Sequence, residues 1–195
     1  MSALTVDHSA SGHEWDDVVR IWEETDAPEG CKVEIIEGIV TVSPGPANHH
    51  NSIADMVQRQ LYTAIPDDWG IYQTLSVAIP SRMGMFIPDL VVAPRAALDE
   101  PGHAIPAAAA ELAVEITSKS NANHDRVEKL HGYATGGVPL YLLLDSWHTG
   151  RPTATLYGEP RNALYRVLDT VKYGEGIHLP APFDLTLDTS AFPVG

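Results

Sequence analysis

Leu112-Ala113-Val114-Glu115-Ile116 is an apolar strand with one carboxylate set inside it, and Pro88-Asp89-Leu90-Val91-Val92 puts a second acid at the head of another. Period-two alternation over residues 111–117 turns Glu111, Ala113, Glu115 and Thr117 to one face and Leu112, Val114 and Ile116 to the other. Burying a lone carboxylate is costly and two neighbouring ones repel, so the pair persists only if a cation, a proton or a donor compensates. A hard divalent cation, Mg²⁺ or Mn²⁺, is bound by oxygens and keeps several waters. Asp89, Glu115 and the backbone carbonyl of Ile116 are the candidate metal ligands.

Downstream, residues 123–135 carry a helical pattern closed by Gly136-Gly137, and Leu140 to Leu144 is a second fully apolar strand. This strand, helix, strand unit argues for the α/β class, with a mixed central β-sheet flanked by helices. Upstream, Trp15, Val18, Val19 and Trp22 recur at helical spacing, predicting an N-terminal helix to about Thr25. Residues 32–42 turn β-branched around Glu37-Gly38, predicting a β-hairpin with Glu37 as a turn residue. A helix is expected over residues 48–64, then strands over 71–79 and 86–93, an exposed connection over 95–106, and a hairpin from Thr153 to Leu168 before a loosely patterned tail.

On the helix after Glu115, the residues Asp125, Lys129 and Tyr133 stand four apart in one row, with Val127, Leu130 and Ala134 as its buried stripe. If the row borders the sheet end, the Lys129 ammonium can orient a nucleophile or stabilise developing charge. Otherwise Asp125 and Lys129 form an ordinary surface ion pair. Glu34 reads as a third acid of the site or as an edge residue, and His50 as a site residue or a helix cap.

The remaining composition bounds the function classes. With 195 residues, 44% of them hydrophobic, the chain can bury one substantial core, read as a single domain over residues 13–195 behind a flexible N-terminus, residues 1–12. No apolar run approaches the roughly 20 residues of a membrane span, and the start lacks signal-peptide character, predicting a cytoplasmic protein without membrane partners. The single cysteine, Cys31, excludes an intramolecular disulfide and a thiolate zinc cluster. A net charge of −14 opposes polyanion binding, but residues 1–31 carry −7 of it while residues 119–172 carry +2. His-x-x-x-His, a phosphate-cradling glycine loop and Gly-x-Ser-x-Gly are all absent from the sequence.

An ordered set of motifs resembles a known family. Glu34-Ile35-Ile36-Glu37-Gly38 is similar to its Glu-Leu-Ile-Asp-Gly hairpin and is followed by Ser43-Pro44 and a helix opening with His50. Then come Pro88-Asp89-Leu90-Val91-Val92, Val114-Glu115-Ile116 with Ser118, the row of Asp125, Lys129 and Tyr133, and Gly137-Val138-Pro139-Leu140-Tyr141 before Leu144-Asp145. Over residues 33–145 the chain resembles the Uma-type restriction-endonuclease-domain family, bacterial proteins of the PD-(D/E)XK nuclease superfamily.

The resemblance implies a restriction-endonuclease-like core and a metal-dependent phosphodiesterase site that hydrolyses DNA. In it Asp89 and Glu115 ligate Mg²⁺ or Mn²⁺, Glu34 supports them, and Lys129 supplies the catalytic ammonium. The lysine expected two residues after the second acid is Thr117 here, and Lys119 is a rival for the ammonium. His50, Thr117, Lys119, Asp125 and Tyr133 are the supporting candidates. Homodimers are expected from relatives of this fold. Two other readings stay open: a catalytically silent scaffold and a hydrolase of small phosphodiesters.

Overall fold

The computed structural model describes residues 4–6, 15–118 and 122–193. In chain order the strands and helices are β1 (Leu4–Val6), α1 (Trp15–Glu23), β2 (Lys32–Ile36), β3 (Ile39–Ser43), α2 (Asn48–Leu61), β4 (Trp69–Tyr72), β5 (Ser76–Ile79), β6 (Gly84–Phe86), β7 (Leu90–Pro94), β8 (Ala104–Pro106) and β9 (Leu112–Ile116). A π-helical turn (His124–Lys129) then leads into α3 (Leu130–Gly136), β10 (Leu140–Asp145), β11 (Thr153–Arg161), β12 (Leu164–Lys172), β13 (Gly176–Leu179) and β14 (Leu185–Asp188). Among the described residues no helix is long and apolar enough to cross a membrane.

The mixed α/β architecture expected from the sequence is present, with its strands divided between two six-stranded sheets and a separate β13–β14 hairpin. One sheet runs β1-β3-β2-β6-β5-β8 and the other β12-β11-β10-β9-β7-β4. The second sheet holds the β9–β10 parallel pair, joined through the π-helical turn and α3.

This second sheet is the middle layer. On one face Leu90, Leu112, Val114, Ile116 and Leu142 pack against Ile53, Val57 and Leu61 of α2 and against Ile177 and Leu187 of the terminal hairpin. On the other, Val91, Ala113, Tyr141 and Leu143 pack against Val77, Ile79 and Phe86 of the first sheet and Tyr133 of α3. Glu115 belongs by alternation to this second face. The outer face of the first sheet is covered by α1, whose Val18 contacts Ile35, Val40 and Met85, while Trp22 Nε1 donates to the Val33 carbonyl at 2.7 Å.

The hairpin turn lies at Glu37-Gly38, with φ of 51° and 81°, the left-handed pair that a two-residue turn of this hand requires. Elsewhere the expected boundaries move. Residues 71–79 are not one strand but parts of two, β4 and β5, in different sheets. Residues 86–93 likewise split: β6 ends at Phe86 and β7 begins at Leu90. Pro88 has no N–H for a ladder, so Ile87-Pro88-Asp89 becomes the crossing between sheets. The connection over 95–106 contains β8 with buried Ile105, and the tail contains β13 and β14. Of residues 1–12, Leu4–Val6 pairs along β3, and the others lie outside the described residues.

Candidate active site

β2 sends alternate side chains, Lys32 and Glu34, to one side, because residues two apart on a strand share a face. The sheet crossing brings Asp89 beside them. Asp89 Oδ1 accepts from Lys32 Nζ at 2.5 Å, and Oδ2 accepts both from His50 Nε2 at 2.9 Å and from the Ile116 N–H at 2.8 Å. The crossing's own backbone is satisfied by the same residues. The Ile87 N–H donates to Glu34 Oε1 at 2.7 Å and its carbonyl accepts from Lys32 at 3.2 Å.

A second knot lies next to the first. Lys129 Nζ is 3.0 Å from Glu34, 3.0 Å from Glu115 and 3.5 Å from Asp125, and Tyr133 donates to Glu115 Oε1 at 2.8 Å. All of these side chains are buried. The expected buried stripe of this helix is corrected at Val127, which is 51% exposed; Ala134 is buried and Leu130 packs against the core as expected, and Asp125, Lys129 and Tyr133 face inward beside them. The π-helical turn widens the helix here and changes which residues meet the core. The row tolerates burial because Lys129 stands against Asp125, Glu34 and Glu115 and the Tyr133 hydroxyl donates to Glu115.

Burial is the largest influence on Asp89, Glu115 and Asp125, and their partners decide the outcome. Burial would raise Asp89, but the His50 hydrogen bond and the Lys32 ammonium hold it well below the ordinary carboxylate range. Burial pushes Glu115 up to about 8 against the pull of Lys129, with Asp125 and Asp89 adding to the rise. Asp125 is likewise raised by burial, to about 7. Burial would lower Lys129, but Glu115, Glu34 and Asp125 outweigh it and hold the ammonium charged.

These directions fix a pH dependence. A carboxyl that binds its proton more tightly when folded contributes stability that is full below its unfolded value, 4.5 for Glu115, and is lost as pH rises to its folded value of about 8. Asp89 behaves oppositely, losing its contribution only in acid. In chelator, Glu115→Gln is expected to flatten the fall in Tm between about pH 5 and 8, by roughly 5 °C. Parallel profiles for the two proteins would refute the proton-bound state of Glu115.

The structure brings Asp89, Glu115, Lys129, Glu34, His50, Asp125 and Tyr133 together around or beneath one cavity of about 240 Å³, which Ile116 also lines. Lys32, Ser43, Pro44, Pro46, His49 and Trp147 are among the other residues of its wall. Thr117 is not part of this cluster. It donates to Asp145 at 3.0 Å, an acid that Arg126 also holds through two contacts of 2.8 Å. Lys119 lies outside the described residues. The residue that sequence reading missed is Lys32, although a signal existed: singling out Glu34 on a strand also singles out its neighbour two residues before.

The donor set suits a hard cation. Four carboxyls face two ammoniums, so with all four ionised and His50 counted as neutral the set carries a surplus of two negative charges, that of one divalent ion, and an entering cation would displace the protons that Glu115 and Asp125 otherwise bind. Among the described residues, no three His, Cys, Asp or Glu side chains stand at ion-binding spacing, and the two lysines occupy carboxylate oxygens instead.

The Uma2 family model, described as putative restriction endonuclease, matches residues 15–190. No curated protein matches the chain. Among solved structures, a putative nuclease belonging to DUF820 from Anabaena variabilis ATCC 29413 is similar, with a TM-score of 0.67 at 16% identity, over 93% of this chain and 99% of that one. At that identity the likeness carries the fold alone. The chain belongs to the Uma2 family, and its fold is the restriction-endonuclease-like α/β architecture.

Proposed function

We propose that the protein is a Mg²⁺- or Mn²⁺-dependent endonuclease that hydrolyses DNA phosphodiester bonds at the cavity between Asp89 and Lys129. The observation that carries this is the convergence of four buried carboxyls, Glu34, Asp89, Glu115 and Asp125, on one cavity beside only two ammoniums, a set that a divalent ion would balance once all four are ionised. Asp89, Glu115 and the Ile116 carbonyl would hold the ion. When bound, a divalent cation polarises a phosphoryl oxygen and makes water nucleophilic at neutral pH. Lys129, fixed by Glu34 and Glu115, presents the positive charge that the phosphorus centre needs as charge builds on it. Tyr133, donating to Glu115 Oε1, holds that carboxylate in place.

One observation favours a smaller phosphodiester as an alternative substrate. At least seven of the twelve Lys and Arg residues, Arg20, Lys32, Arg59, Arg82, Arg126, Lys129 and Arg166, are paired with acids of the chain itself. Duplex binding draws on cations free to displace counterions from phosphates.

Supercoiled plasmid, a single-stranded oligonucleotide and an aryl phosphodiester should be incubated in Mg²⁺, Mn²⁺ or chelator. Cleavage of both nucleic acids that needs the ion is the expected result. Turnover of the aryl ester alone would favour the smaller substrate. Absence of all three activities in a folded protein would leave the silent scaffold.

A further inference from the structure

We propose that Lys32 is a movable cation of this site: it occupies the Asp89 oxygen that a divalent ion needs, and when displaced it becomes a contact for the substrate phosphate. The inference rests on the metal-dependent reading above.

The two oxygens of Asp89 are not equivalent. Oδ2 is held by His50 and by the Ile116 N–H, whereas Oδ1 accepts from Lys32. Oδ1 is the oxygen through which an ion would reach this carboxylate, and the ammonium stands on it at 2.5 Å.

The two ammoniums also differ in freedom. Lys129 is bound by three carboxylates and its side chain is 5% exposed, so it is fixed. Lys32 has one carboxylate and one carbonyl, and its side chain is 24% exposed. A lysine carries a compact charge on a flexible stem, so it can leave one acceptor for another at little cost in geometry. A dication on Oδ1 repels the ammonium, which remains tethered to β2 at the wall of the same cavity. An entering phosphodiester brings the anion that it lacks.

Calorimetric titration with Mn²⁺ of the wild-type protein, Lys32→Met and Lys32→Gln tests this, with thermal melting to establish that each variant is folded. With the competitor removed, both variants are expected to bind Mn²⁺ about tenfold tighter. At saturating Mn²⁺, cleavage of the supercoiled plasmid should fall tenfold or more. Equal or weaker Mn²⁺ binding by the folded variants overturns the proposal while leaving the metal-dependent reading intact. No Mn²⁺ binding by any of the three proteins overturns both.

Discussion

Lys129→Met is expected to cost about 3–5 kcal/mol, because removing one partner of a buried ion pair leaves charge uncompensated. Lys129 is buried and its ammonium sits among Glu34, Glu115 and Asp125, so its loss leaves three buried carboxyls facing one another. For a domain of this size that corresponds to a fall in Tm of roughly 10 °C or more. The carboxylates can escape by taking up protons, so the deficit should be large at pH 8 and much smaller at pH 5. A divalent cation should recover more of the lost stability in the variant than it adds to the wild type. A Tm within a few degrees of wild type at pH 8 would show that the cluster does not depend on Lys129.

The second large effect is on chemistry. Asp89→Asn keeps the shape of the side chain and removes its charge. Under the proposed nuclease activity, DNA cleavage is expected to fall about 10²–10³-fold, the scale for losing a group that organises charge in a reacting site. Heat of divalent-ion binding should vanish with it. The amide also has one acceptor oxygen where the carboxylate had two. With Lys32 on one side and His50 and the Ile116 N–H on the other, its NH₂ must confront a donor whichever way it is turned. A stability loss of about 1–3 kcal/mol should follow from the unmet group. Cleavage retained within tenfold of wild type would remove Asp89 from the reaction.

What could be read in the sequence was local. Glu37-Gly38 announced its turn because two consecutive left-handed residues are a matter of their own backbone. Leu112–Ile116 and Leu140–Asp145 announced themselves by apolar runs that only a doubly covered strand needs. The break between β4 and β5 could not be read, since residues 73–75 contain neither Gly nor Pro and pairing in different sheets sets the corner. The break at Ile87-Pro88-Asp89 did carry a signal, in the missing N–H of Pro88. Val127 misled because a stripe drawn at 3.6 residues per turn assumes apolar side chains inward and a regular helix. Here a π-helical turn alters the spacing and a set of mutually neutralising charges takes the interior. The tail misled because Ile177, Leu179, Phe183 and Leu187 are buried by a sheet far away in sequence. The candidate residues could be named one by one, but which oxygen of Asp89 answers to Lys32 is decided only when the sheets meet.

The crossing at Ile87-Pro88-Asp89 is tied to the first sheet through Lys32 and Glu34, to the second through the Ile116 N–H, and to α2 through His50. The same few atoms therefore serve as a buckle between two layers. Whatever unfastens it slackens the joint, and whatever pries the layers apart scatters the candidate site.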